Sequence, residues 1–513
     1  MANRRVISVL VVCGCALALL PGSARAADLS ADPSSYKALL PTLKAGDTLH
    51  LAAGHYPLLP LANLNGTPSA WITIAGPPGD PPTAIIDADP GPCCNTVEIT
   101  NSSYLAIESL TIDGHDVDGA FGISAGGGSG NLVHDIRIEG CSLINHHGSQ
   151  QDDAISTKTP TWGWIIRRNK ILHAGTGLYL GNSDGSDPFV GGVIEDNLVE
   201  NPIGYCMEIK FQNARPMIAG LPTAPTTTII RNNVFIKNDD PSPDGDRPNL
   251  LVGGFPASGA GASDRYEIYG NFFDHNARES LLQASGRVTI HDNLFVDAPG
   301  QHAILLRDHD LPLELAYVYD NTIYSAGIGI DFGSAAPEGD AVVGNLVFAD
   351  TAITGTISNQ HDNLTDTVAS AGNYVRAPST TLGQLDLYPL AGKCQGAPID
   401  ASLFAGDTDH AIDFNGAPRG SFVFRGAYAG DGVNPGWLPG DGLKSSGSLD
   451  DGGAPDGGPA ADAALPIDDA GPGAHSGGCS CSYEPAAGAG AGLALVVLLA
   501  LAVLLARRRA GSQ

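Results

Sequence analysis

Ile230-Arg-Asn-Asn233-Val-Phe235 is one copy of a pattern that recurs from about residue 107 to 347: apolar, two residues, Asn, one residue, apolar. Other copies read Ile166-Arg-Arg-Asn169-Lys-Ile171, Ile194-Glu-Asp-Asn197-Leu-Val199, Ile268-Tyr-Gly-Asn271-Phe-Phe273, Ile290-His-Asp-Asn293-Leu-Phe295, Val318-Tyr-Asp-Asn321-Thr-Ile323 and Val342-Val-Gly-Asn345-Leu-Val347. Cys141 and Leu110 stand at the Asn position in two earlier copies. The copies lie roughly 22 to 38 residues apart, the range in which one repeat is one turn of a solenoid. Asn tolerates a left-handed backbone and bonds its own backbone, so it suits a sharp bend between two strands. The flanking apolar residues then share a core.

A third short strand falls between copies, as in Asp153-Ala-Ile155-Ser-Thr157-Lys158, Gly177-Leu178-Tyr-Leu180 and Met207-Glu-Ile209-Lys-Phe211. Three strands per repeat, joined by loops of varying length, predict an all-β chain folded as a right-handed parallel β-helix. A propeller or sandwich needs hairpins with two-residue turns at even spacing, which the sequence lacks.

Of 513 residues, 66 are Gly and 36 Pro, which fits a structure with many turns. A net charge of −28 argues against nucleic acid as a partner. It leaves room for an acidic polysaccharide held by a local basic groove or a bound cation. The reading divides the chain into six parts. Residues 1–26 form a signal peptide, with Arg4-Arg5, an apolar run and Ala24-Arg-Ala26 as cleavage site. Residues 27–106 form an N-terminal cap and first coils, with a short capping helix over Ser34 to Leu43. Residues 107–376 are the repeats, and 377–439 a C-terminal coil and cap. Residues 440–478 are a disordered acidic Gly/Asp/Pro/Ala spacer. Residues 479–513 hold Cys479-Ser-Cys481, an apolar run from Gly488 to Ala506 long enough to span a bilayer, and Arg507-Arg508-Arg509.

This tripartite end resembles the MYXO-CTERM sorting signal of myxobacterial surface proteins. The resemblance implies processing and lipid-linked anchoring at Cys479 or Cys481, hence display at the cell surface or outer membrane. The alternative is a plain transmembrane anchor. The opening Ala45-Gly-Asp-Thr-Leu-His-Leu-Ala-Ala-Gly-His-Tyr56, with Trp71-Ile-Thr-Ile74, resembles the cap of β-helix polysaccharide lyases of the alginate lyase and chondroitinase-B type. The expected state is a monomer.

Strand alternation points Ile155, Leu178 and Met207 inward. Ser156, Tyr179 and Glu208 then share one outward column, and Lys158, Gly181 and Lys210 the next. Long loops follow these strands, so the face suits a sugar chain. Elimination from a uronate needs a base for the C5 proton, a cation for the carboxylate and an acid for the leaving oxygen. Lys210 is the candidate base and Arg215 the acid or carboxylate clamp. Lys158, Tyr179 and Trp162 are candidate sugar-binding residues. Glu208, Asp152, Asp153 and Asn213 are candidate ligands for Ca²⁺.

Gly204-Tyr-Cys-Met-Glu208-Ile-Lys210 resembles the active-site coil of the chondroitinase-B type, which implies calcium and a catalytic lysine. Cys206 stands where that family carries a second acid, and the lysine follows sooner. A pectin-type hydrolase would use the Asp152-Asp153 pair. The Gly-His-Gly and Arg-Ile-Lys that accompany the pair in that family are missing. A non-catalytic surface adhesion or display protein is the remaining alternative. Mature protein extracted from the surface is expected to begin at Ala27 and to be altered near Cys479 or retained in membrane. Mass spectrometry showing soluble chain ending unmodified at Gln513 would exclude both kinds of anchor.

Overall fold

The computed structural model describes residues 26–89 and 95–444. The stretch read as a signal peptide, up to residue 25, Cys93, Cys94, the stretch read as a spacer, from 445, Cys479, Cys481 and the apolar run at 488–506 lie outside the described residues. Among the described residues, no helix is long and apolar enough to cross a membrane.

The chain winds through three parallel sheets of 15, 12 and 11 strands, taking one strand from each sheet per coil. It is a parallel β-helix. In one coil, Ile165–Arg167 belongs to the first sheet, Lys170–Ala174 to the second and Thr176–Leu180 to the third. Ile166, Ile171 and Leu178 all point inward and are fully buried. Stacking identical coils brings such residues into one continuous core.

The asparagines form a ladder at the corner between the first and second sheets. The Asn233 amide donates to Asn271 Oδ1 at 3.0 Å and to Ile194 O at 2.9 Å. Its own Oδ1 accepts from Asn197 N at 3.1 Å. The same contacts run from Asn169 to Asn363, and Cys141 N joins by donating to Asn169 Oδ1. One expectation changes. The left-handed residue is the one before each Asn, as at Arg168, Asp196, Asn232, Asp292, Asp320 and Asp362. The Asn side chain spans adjacent coils while its neighbour makes the bend. Asn363 was missed because Gln360 occupies the usual apolar position.

The cap helix is shorter than expected: one α-turn, Tyr36–Leu39, continues as a 3-10 turn, Leu40–Thr42. Tyr36 and Leu40 plug the core. The C-terminal segment is not a simple end cap. It doubles back along the outside of the solenoid as a strap. Leu387, Tyr388, Phe414 and Tyr428 cover Val234, Phe272, Leu294 and Leu346 on the outer side of the second sheet. Lys444, placed by the sequence reading inside the spacer, is buried, and its Nζ donates to Gly270 O at 2.7 Å and Asn232 Oδ1 at 3.0 Å.

Asn233→Leu is expected to destabilise the protein by about 2 kcal/mol or more, because it strands buried groups of Asn197 and Asn271. A chemical-denaturation midpoint equal to that of the parent would refute a structural role for the ladder.

Candidate functional site on the third sheet

Strands Asp153–Thr157, Thr176–Leu180 and Met207–Ile209 are neighbours in the third sheet. Their register pairs Ser156 with Tyr179 and Tyr179 with Glu208, as the alternation predicts. Lys158 and Lys210 follow one step beyond, on either side of Gly181. A Cβ built on Gly181 would lie 3.3 Å from that of Lys210. The absence of a side chain there leaves the two lysines facing the Tyr179 ring. Lys158 Nζ is 5.3 Å and Lys210 Nζ 5.9 Å from its centroid, within cation–π range. Phe121 adds a second ring 4.8 Å from Lys158 Nζ, and Phe211 one at 6.0 Å from Lys210 Nζ.

Each lysine is backed by a buried carboxylate. Lys210 Nζ donates to Glu208 Oε1 at 2.8 Å, and Lys158 Nζ lies 3.6 Å from Asp153 Oδ2. Burial pushes the Asp153 carboxyl up to about 7, with Lys158 opposing and the charges of Asp152 and Glu208 adding to the rise. Burial also raises Glu208, against the pull of Lys210, Arg247 and His309. Burial holds the Tyr179 hydroxyl well above its ordinary value, so it stays protonated at neutral pH.

Other expected members stand apart. Arg215 is buried in an ion pair with Asp264 and donates to Pro222 O at 2.6 Å. Asp264 also accepts from Thr226 N at 2.9 Å, so the pair pins a loop. Arg215 therefore cannot clamp a substrate from this position. Trp162 lies on an extension of the first sheet, stacked on His134 at 4.3 Å and packed with Val190 and Leu221. It is core rather than a sugar platform, as is Trp164.

The residues read as calcium ligands do not form a ligand set. Asp152 closes a turn by accepting from Ser149 N and Gly119 N. Asp153 and Glu208 face lysines, and Asn213 donates its amide to Asp184 O at 2.7 Å. Among the described residues, the His, Cys, Asp and Glu groups bringing three ligand atoms within 4.8 Å of one another are Asp87, Asp113 and His115, on the second sheet.

Sequence reasoning missed Tyr205, Arg247 and His309. The Arg247 guanidinium lies 5.6 Å from the Tyr205 ring centroid, and Arg247 and His309 both act on the Glu208 charge. Arg247 and His309 sit in loops, where no strand periodicity reports direction.

No protein-family model and no curated protein matches the chain. Among solved structures, the A-module of a mannuronan C-5 epimerase from Azotobacter vinelandii is similar over 66% of this chain and 96% of its own, at 16% identity and TM-score 0.41. An alginate lyase from a Paenibacillus species is similar over 57% and 98%, at 16% identity and TM-score 0.35. A pectate lyase is similar over 80% and 98%, at 13% identity and TM-score 0.41. These scores are too low to carry an argument, and the assignment as a parallel β-helix rests on the strand register itself.

Arg215→Ala is expected to destabilise the protein by about 3–5 kcal/mol, since it leaves Asp264 buried without its cation. Unchanged thermal stability combined with lost polysaccharide binding would return Arg215 to the site.

Proposed function

We propose that the outer face of the third sheet binds an acidic polysaccharide and that Lys158 and Lys210 recognise its uronate carboxylates. The observation that carries this reading is the convergence of two ammonium groups on one aromatic ring, Lys158 Nζ at 5.3 Å and Lys210 Nζ at 5.9 Å from the Tyr179 centroid. An aromatic face suits the apolar side of a sugar ring, and flanking cations suit carboxylates on successive sugars. On a chain of net charge −28, two ammonium groups beside one ring offer cations to a polyanion, and burial, which raises the Asp153 and Glu208 carboxyls, reduces the negative charge behind them.

The same groups are suited to β-elimination. Lys210, once deprotonated, would take the C5 proton. The C–H electrons would form the C4–C5 double bond, the C4–O bond would break, and the Tyr179 hydroxyl would protonate the leaving oxygen. Lys158 and Arg247 would neutralise the uronate carboxylate, the task first assigned to Arg215. One contact favours a second reading, binding and display without cleavage. Lys210 Nζ donates to Glu208 Oε1 at 2.8 Å, so its amine is already engaged by a carboxyl group rather than free to take a substrate proton.

The experiment incubates the protein with alginate, polygalacturonate and chondroitin, following both binding and the absorbance of an unsaturated product. Lys158→Ala and Lys210→Ala are each expected to weaken binding roughly fivefold, the scale of one partly exposed charge contact. Binding of all three polymers unaltered by either substitution would sink the proposal. Product release abolished by Lys210→Ala supports elimination, whereas binding without product supports display.

A further inference from the structure

We propose that Asp87, Asp113 and His115 bind one transition-metal ion of the zinc class, with His55 as fourth ligand. Asp87 ends strand Ala84–Asp87 and Asp113 ends strand Thr111–Asp113; the two are paired neighbours in the second sheet. Ile86 and Ile112, one residue earlier, are fully buried, so both carboxylates point outward. His115 turns back at φ 51° and places Nε2 2.9 Å from Asp87 Oδ1 and Nδ1 3.5 Å from Asp113 Oδ1. His55 comes from the preceding coil, on strand Gly54–Pro57, with Nδ1 2.9 Å from Asp87 Oδ2. Consecutive coils thus deliver two carboxylates and the His115 imidazole to one place, with the His55 imidazole alongside on the other oxygen of Asp87, from where it would turn in as the fourth donor.

The distances are near those of a ligand shell. One ligand atom each from Asp87, Asp113 and His115 lies within 4.8 Å of the others. Two atoms bound to a tetrahedral zinc ion at about 2.05 Å lie about 3.3 Å apart. Small side-chain rotations close the difference. The His55 and His115 side chains are 67% and 48% exposed, so their rings turn without disturbing the core. Asn145 Nδ2 donates to Asp113 Oδ1 at 2.9 Å and orients that carboxylate from outside the shell.

The donor set selects the metal class. Imidazole with carboxylate suits zinc and its first-row neighbours, whereas calcium takes six to eight oxygens. Two carboxylates balance the charge of a dication. The ion would staple successive coils near the start of the solenoid, on a different sheet from the Tyr179 face.

The test uses intact protein without a polyhistidine tag, stripped with chelator, then titrated calorimetrically with zinc chloride and, in parallel, calcium chloride. One equivalent of zinc is expected to bind and to raise the thermal midpoint. His115→Ala and Asp113→Asn are each expected to weaken zinc binding at least about tenfold. Both side chains lie outside the core, so the midpoints of the variants in chelator should match the parent and show that they fold. The absence of a one-equivalent zinc site, zinc affinity unchanged in both variants, or calcium bound more tightly than zinc would each overturn the assignment.

Discussion

The amide of one asparagine per coil governs this architecture. A buried amide has two donors and an acceptor that burial strips of water, and leaving any unmet costs more than the bond returns. Stacking supplies the partners: the amide of Asn271 meets Asn293 Oδ1, and the Asn293 amide meets Asn321 Oδ1. The corner must therefore return at the same height and direction on every turn. Loops are free to vary in length only because this corner does not.

The preceding residue completes the corner and has a second use. It must adopt a left-handed backbone, which Asp, Asn and Gly accept most readily. Where it is Asp, its carboxylate points outward and is available to the strap. Arg419 pairs with Asp292 and Asp320, and Arg425 with Asp362. Lys444 reaches the same column at Asn232 and Gly270. The residues that shape the bend are thus the residues on which the returning chain docks. Burial raises both Asp292 and Asp320 to about 7, and the Arg419 guanidinium opposes that rise, so it limits how far burial favours their protonated forms.

The sequence made the solenoid legible because its period is set by short-range rules: apolar residues on either side of an Asn, and alternation along each strand. The columns Ser156–Tyr179–Glu208 and Lys158–Gly181–Lys210 were legible for the same reason. Arg215 and Trp162 were not, because each ends its reach in a loop or strand extension whose direction no period encodes. The strap was hidden differently. Leu198, Val234, Phe272, Leu294 and Leu346 all follow their Asn directly and face outward, where a solvated sheet would carry polar residues. That apolar column was visible in the repeat and signalled a covered surface. Nothing in the repeat showed that the chain's own end would cover it.

The strap's last described residue lies beside Asn232, partway along the solenoid rather than at its final coil. Any tension carried by residues beyond 444 enters the molecule there. It falls first on two hydrogen bonds of one ammonium group and on the 3.6 Å contact between Lys444 Nζ and the Phe414 ring. A pull from that side peels the strap one contact at a time while the coils, bonded to one another along the axis, carry little of the load. The strap therefore gives way before the coils do, and it does so near the middle of the solenoid rather than at either end.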